Sequence, residues 1–305
     1  MIARILEGRP VAAKIRSELC PEIDSFRKEY GIAPTLAVVR VGNPPAAVSY
    51  AQSIDHIFTD CAMGFQMHVL PASTTQDQLV EQLHDLDAAN DVHGILLQRP
   101  LPRTLDVRAV MAAFPVAKDI EGVTPSNLGN LVQDTDYYFP TSTPNAALEI
   151  LRYYEIAVAG KHAVVVGRSE ILGKPMALLL LRANATVTIC HSQTSDLAAF
   201  TRQADLLIAA AGKPSLITRD MVAPGAVIVD FGVNMIGGKL RGDVDFDAVK
   251  EIAGAITPVP GGAGPVTTMM LMRNTLHAAR RQVRSIGTKG KTRWLPTLKS
   301  PNRQK

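Results

Sequence analysis

The sequence predicts an α/β protein of two domains, the second built on a doubly wound parallel sheet. Three observations carry that reading. Short runs of β-branched and aliphatic residues alternate with segments of helical period along the 305-residue chain. The alternation falls into two series, divided by the stretch from Lys118 to Thr143, where periodicity fades. The second series opens on Val164-Val165-Val166-Gly167-Arg168-Ser169-Glu170-Ile171-Leu172-Gly173-Lys174-Pro175, a strand, a glycine turn and a helix start. Strands and helices alternating at this pitch build parallel sheets covered by helices.

In the first series, Val11, Ile15, Leu19, Ile23 and Phe26 lie three or four apart, which predicts a helix over Pro10 to Tyr30 with Pro21 as a site for a kink. Leu36 to Val41 reads as a buried strand ending at Gly42. Ala46 to Met63 reads as a helix, and Phe65 to Leu70 as a strand. Thr75 starts a helix with Leu79, Leu83 and Leu86 on one face and Asp77 in its first turn. Gly94 to Gln98 is a strand that Arg99-Pro100-Leu101-Pro102 cannot continue. Lys118 to Thr143 is rich in Gly, Asn, Asp, Thr and Pro and reads as a loop or cleft wall. Asn145 to Tyr154 is a helix linking the two domains.

The second series predicts strands at Ala163–Val166, Thr186–Ile189, Asp205–Ala210 and Ala226–Asp230, with Ile256–Pro258 as a fifth. Helical segments Met176–Ala183, Asp196–Arg202 and Thr218–Val222 lie between them, and a helix from Thr267 to Arg280 closes the fold. Ligands of such a Rossmann-type sheet sit beyond the carboxyl ends of the strands. The polar breaks Gly167-Arg168-Ser169, His191-Ser192, Gly212 and Gly232-Val233-Asn234 are therefore expected to face one cleft. The boundaries expected are 1–145 for the N-terminal domain, completed by helix 267–285, then 146–266 for the sheet domain and 287–305 for a disordered tail.

A strand–glycine–helix junction presents backbone N–H groups and a helix dipole to a phosphate. The spacing G-x-S-x-x-x-G, from Gly167 through Ser169 to Gly173, differs from the dinucleotide pattern G-x-G-x-x-G. A site for NAD places an acid about 20 residues past the first glycine. Here the second strand ends Ile189-Cys190-His191-Ser192, with no acid. Arg168, with its guanidinium, and Ser192 are suited to a 2′-phosphate, which favours NADP.

Composition excludes several classes. Hydrophobic residues make up 47% and charged residues 20% of the chain, a globular balance. No apolar run approaches the ~20 residues of a membrane span, and residues 1–8 do not read as a signal peptide. The net charge of +4 belongs to the end of the chain: from Arg280 onward there are nine Lys and Arg and no acid, leaving 23 basic against 28 acidic residues elsewhere. No nucleic-acid-binding module accompanies it. Cys20, Cys61 and Cys190 have neither zinc-site nor disulfide-framework spacing, so unpaired cysteines, no metal and a cytoplasmic protein are expected.

The stretches Val166 to Pro175, Asn184 to Ser192, Gly242-Asp243-Val244-Asp245-Phe246 and Ile256 to Thr267 resemble the methylenetetrahydrofolate dehydrogenase/cyclohydrolase family. Gly94 to Pro102 and Lys118-Asp119-Ile120-Glu121-Gly122 extend the likeness, which covers about residues 1–280. The resemblance implies a homodimer that oxidises 5,10-methylenetetrahydrofolate with NADP and hydrolyses the methenyl product, in a cleft between two domains. It implies that Tyr50, Gln98 and Asp119 are catalytic, and that Tyr50, Glu121, Pro260, Gly261 and Gly262 bind the folate. For the cofactor it implies Gly167, Arg168, Ser169, Gly173, His191 and Ser192, with Gly232 and Val233 on the nicotinamide side. It implies no metal.

Three departures touch the folate half. The family's Tyr-x-x-x-Lys ends here in Ile54, four residues after Tyr50, and no lysine occurs between Lys28 and Lys118. Lys-Asp-x-Asp-Gly carries Glu121 at its second acid. Pro-Cys-Thr-Pro-x-Gly is replaced by Thr141-Ser142-Thr143-Pro144-Asn145-Ala146. Isoleucine cannot shuttle a proton, so a dehydrogenase with weak or absent cyclohydrolase activity is expected. The alternatives are a fully bifunctional enzyme and a non-catalytic folate- or NADP-binding protein.

Overall fold

A computed structural model describes residues 2–133, 135 and 139–287. The chain begins with a short strand, β1 (Arg4–Ile5), and a long helix, α1 (Gly8–Tyr30). The first series continues as β2 (Thr35–Val41), α2 (Pro45–Asp60), β3 (Gly64–Leu70), α3 (Gln76–Ala88), β4 (Gly94–Leu97), α4 (Val107–Ala113), α5 (Pro125–Val132) and α6 (Ser142–Tyr153). The second runs β5 (His162–Val166), α7 (Gly173–Arg182), β6 (Thr186–Cys190), α8 (Leu197–Thr201), β7 (Leu206–Ala209), β8 (Val227–Asp230), β9 (Asn234–Ile236), β10 (Lys239–Arg241), α9 (Phe246–Val249), β11 (Ala255–Ile256) and α10 (Ala263–Gly287).

Two parallel sheets result. The first has the order β3-β2-β4, with Leu36 facing Phe65 on one side and Gly94 on the other. The second is a doubly wound sheet of order β1-β11-β8-β7-β5-β6, all parallel. Its edge strand β1 comes from the start of the chain, where Ile5 pairs with Ile256. Two residues carry no readable period, so only the tertiary structure reveals this strand.

The apolar stripe of α1 behaves as its spacing predicts, since Val11, Ile15, Leu19, Ile23 and Phe26 are all buried. Burial of such side chains is worth about 1.5–3 kcal/mol each. They share a core with Val266, Met269, Met270 and Leu276 of α10 and with Ile150 of α6, so α1 and α10 tie the two sheets together. The helix continues through Pro21, and Ser25 donates its hydroxyl to the Pro21 carbonyl at 2.9 Å. It ends at Gly31 in the left-handed conformation.

Three expectations need correction, and one helix has no counterpart in the sequence reading. The stretch read as loop from Lys118 to Thr143 contains α5, started by the Thr124 side chain accepting from the Asn127 N–H; eight residues are too few for a legible period. Short α4, begun by Asp106, escaped for the same reason. Gly287, placed in the tail, still belongs to α10, while the rest of the expected tail, with Trp294, lies outside the described residues. Cys20 and Cys61 are joined in a disulfide, although unpaired cysteines were expected. Packing of α1 against the end of α2 brings their Cα atoms to 5.2 Å across a 41-residue separation, which sequence spacing cannot show. Among the described residues no helix is long and apolar enough to cross a membrane.

Candidate active site

The glycine loop owes its spacing to packing. Gly167 follows β5 with φ +141°, and a Cβ there would stand 2.2 Å from the Ala210 carbonyl oxygen. A Cβ on Gly173 would stand 2.3 Å from the carbonyl oxygen of Gly167 itself. Both glycines are therefore needed for the loop to fold tightly onto the start of α7. Ser169 closes it: its hydroxyl accepts from the Gly173 N–H at 3.3 Å and its carbonyl from the Lys174 N–H at 3.0 Å. The loop is a cradle that side chains would fill.

The register of β5 and β6 pairs Val166 with Cys190, so the loops that carry Arg168 and Ser192 leave adjacent strand ends. Both are exposed. His191 is half-buried and turned into its own loop, where its Nδ1 accepts from the Gln193 N–H at 3.2 Å. No acid stands at the end of β6.

Two buried carboxylates, to which the sequence reading gave no role, brace the neighbouring loops. Asp243 accepts from the N–H groups of Ala211 and Gly212 at 2.6 and 2.8 Å and from Asn234 at 2.9 Å. Asp230 accepts from the N–H groups of Gly232, Asp243 and Val244 at 2.7–3.0 Å. Burial nonetheless pushes the Asp230 carboxyl up to about 6. Gly232 packs so closely that a Cβ would stand 2.1 Å from the Asp243 nitrogen, while Val233 beside it is exposed.

In the first sheet, Gln98 follows β4 and donates to the Ala47 carbonyl at 2.9 Å, docking the first turn of α2; its Oε1 is buried without a partner. One turn further along α2, Tyr50 is 40% exposed. Its phenol is pushed up by burial and then by the nearby Glu121 carboxyl. Ile54, another turn on, is fully buried in the shared core with Phe58.

Asp119 is wholly engaged. Its carboxylate accepts from the N–H groups of Gly122, Val123 and Thr124 and from Asn127, at 2.7–3.3 Å. With every lone pair so occupied it shapes the turn that holds Glu121. Asn274 of α10, absent from the sequence reading, completes the turn by donating to the carbonyls of Ile120 at 2.7 Å and Pro140 at 2.9 Å. Ser142 donates its hydroxyl to Ile120 as well, at 2.9 Å. Burial pushes the Glu121 carboxyl up to about 7; Arg99 opposes that shift and Asp119 adds to it.

The Pro260-Gly261-Gly262 loop leads into α10 and lies against the start of α1, where the Gly8 N–H donates to the Gly261 carbonyl at 2.8 Å. A Cβ on Gly8 would come within 1.8 Å of the Gly262 carbonyl oxygen. These glycines thus seat the junction between the two sheets.

A glycine-turned helix start beyond the carboxyl ends of a doubly wound sheet holds a pyrophosphate in dinucleotide-binding domains. The fold and site thus define a two-domain α/β enzyme that uses a dinucleotide. Residues 6–121 match the model of the tetrahydrofolate dehydrogenase/cyclohydrolase catalytic domain, and residues 141–283 that of its NAD(P)-binding domain. The chain belongs to the tetrahydrofolate dehydrogenase/cyclohydrolase family. Curated relatives called bifunctional protein FolD include those of Roseiflexus sp. RS-1, 50% identical over 93% of this chain and 99% of the relative, and Chloroflexus aggregans, 49% identical over the same shares. Among solved structures, the bifunctional FolD of Campylobacter jejuni is 41% identical with a TM-score of 0.88, covering 92% of this chain and 99% of that one. The Trypanosoma brucei methylenetetrahydrofolate dehydrogenase-cyclohydrolase, complexed with NADP and an inhibitor, is 34% identical with a TM-score of 0.89, covering 93% and 99%.

Proposed function

We propose that this enzyme oxidises 5,10-methylenetetrahydrofolate to the 5,10-methenyl form with NADP as hydride acceptor, and hydrolyses that product poorly. The observation that carries the second half is Ile54, an alkyl side chain enclosed in the core one turn beyond Tyr50.

The Gly167–Gly173 cradle suits a pyrophosphate, and the trypanosomal relative was solved with NADP. When bound, the nicotinamide supplies the hydride acceptor. Arg168 and Ser192, both exposed in the loops that follow adjacent strand ends, would hold the 2′-phosphate. Gly232 and Val233 would line the nicotinamide side, with Asp230 and Asp243 fixing their loop. In the folate half, Glu121 would grip the heterocycle, Tyr50 would lie along it, and Gln98 would offer its free Oε1 near the reacting carbon. Asp119 positions Glu121 rather than touching substrate.

Hydride transfer asks the protein mainly to align two flat molecules. Hydrolysis also asks for an activated water and a proton donor at nitrogen, and the loss of such a group costs about 10²–10⁴-fold. Ile54 supplies neither function. Assembly as a homodimer belongs to the same reading; β6 leaves an open sheet edge on which Ile189 is exposed, a surface suited to pairing.

The deciding experiment mixes purified protein with methylenetetrahydrofolate and either NADP or NAD. Formation of NADPH, with slow loss of the methenyl product, is the expected result. No reduced cofactor at saturating substrate would sink the dehydrogenase reading, and product decay far above the spontaneous rate would sink the hydrolytic one.

A further inference from the structure

The turn that presents Glu121 is edged by buried polar atoms that no described residue satisfies. Buried side-chain atoms left without a partner among the described residues include Gln98 Oε1, Arg99 Nε and Thr141 Oγ1. Gln98 and Arg99 leave the end of β4, and Arg99 acts electrostatically on Glu121. Thr141 meets the same turn from the other side. The Ser142 N–H donates to the Glu121 carbonyl at 3.1 Å, and a Cβ on Gly122 would lie 3.1 Å from the Thr141 nitrogen.

Thr141 is an unusual helix cap. Its carbonyl starts α6 by accepting from the Asn145 N–H at 2.9 Å, whereas its side chain makes no capping hydrogen bond. A threonine at this position ordinarily accepts from the N–H two or three residues on; the third residue here, Pro144, has no N–H, and the Thr143 N–H is not taken either. Here Thr141 is buried and its hydroxyl does not take that role. Leaving a buried hydroxyl unpaired is costly, and the three buried groups without a partner among the described residues lie on the segments that flank this turn. The family pattern has proline at this position, which has no hydroxyl to offer.

We propose that Thr141 is a further specificity-determining residue, its hydroxyl bonding a polar edge of the heterocycle that Glu121 holds. This rests on the folate reading above. The occupant it requires is a flat heterocycle with donors and acceptors on adjacent edges, gripped by the carboxyl on one side and the hydroxyl on the other. A site built in this way rejects an analogue that lacks the matching polar atom, because the hydroxyl is then left unpaired.

The test compares wild type with Thr141→Val and Thr141→Ser in two readouts: binding of 5,10-methenyltetrahydrofolate by calorimetry, and steady-state kinetics with methylenetetrahydrofolate and NADP. Thr141→Val is expected to weaken binding and raise the folate KM about 3–10-fold, with kcat and the NADP KM unchanged, since uniform binding alone is lost. Thr141→Ser is expected to restore both values. Thr141→Ala serves as the hydroxyl deletion if the valine variant fails to fold. A folded deletion variant with unchanged folate binding and KM would overturn the inference alone. Wild-type protein that neither binds nor turns over folate would overturn the folate reading and this inference together.

Discussion

Ile54 follows Tyr50 by one turn of α2, yet Tyr50 is partly exposed and Ile54 is enclosed in the core that joins the two sheets. Side chains on a helix lean toward its N-terminus, so a longer chain at position 54 would extend toward Tyr50. Ile54→Lys is therefore expected to deliver an amine to the folate cleft. Absorbance decay of the methenyl compound should quicken by about tenfold or more. The stem would replace a well-packed alkyl group and the ammonium would begin poorly solvated, so thermal melts should show a lower Tm. A folded variant with no gain in hydrolysis would show that position 54 is not the cause.

Arg168 and Ser192 each follow by two residues the paired strand ends Val166 and Cys190. If the Arg168 guanidinium grips the 2′-phosphate, Arg168→Ala should raise the KM for NADP by about 10–100-fold, the range for hydrogen bonds to charged groups. The KM for NAD, which lacks that phosphate, should hardly move. Parallel titrations with the two cofactors check this, and equal losses for both would assign Arg168 a different task.

Most of the strands and the long helices were legible because their periods are local: the stripe of α1 and the triple valine of β5 needed no partner to be read. The glycine loop was legible too, although its physical reason, Gly167 against Ala210 and Gly173 against Gly167, is a tertiary fact. What stayed hidden joins distant segments. Asn274 reaches across to Ile120, β1 pairs with β11, and Cys20 meets Cys61. Asp119 illustrates the limit, because a carboxylate in a motif looks chemical until its four donors are counted.

Glu121 gives the site a pH dependence near neutrality. Burial is the largest cause of its raised value of about 7. A carboxyl raised in the fold favours its protonated form, so its contribution to stability is fullest below the unfolded value of about 4.3 and declines as pH rises toward 7. Substrate binding runs the other way if the ionised carboxylate accepts from the heterocycle. Folate affinity should then improve as pH rises through about 7 and level off above it. The folate KM measured across that range should show this step in wild type and lose it in Glu121→Gln. A step that persists in the variant would belong to another group.

Gly8 offers a test of the junction itself. The Cβ of an alanine there would fall 1.8 Å from the Gly262 carbonyl oxygen, a backbone atom in a loop with little freedom to retreat. Gly261 holds φ +106°, and Gly262 is itself so close to Pro258 that a Cβ would stand 2.6 Å from that carbonyl. Gly8→Ala must therefore push α1 and the loop apart, weakening the 2.8 Å bond from the Gly8 N–H to Gly261. Overpacking of this kind costs about 1–3 kcal/mol, to be read from urea unfolding. Gly264, in the first turn of α10, is the control: a Cβ there meets nothing within 4 Å. Gly264→Ala should leave stability unchanged or raise it by up to about 1 kcal/mol. If the loop also lies against the folate, Gly8→Ala should raise the folate KM while Gly264→Ala leaves it alone. Equal behaviour of the two variants would mean that the Gly8–Gly262 contact yields without consequence.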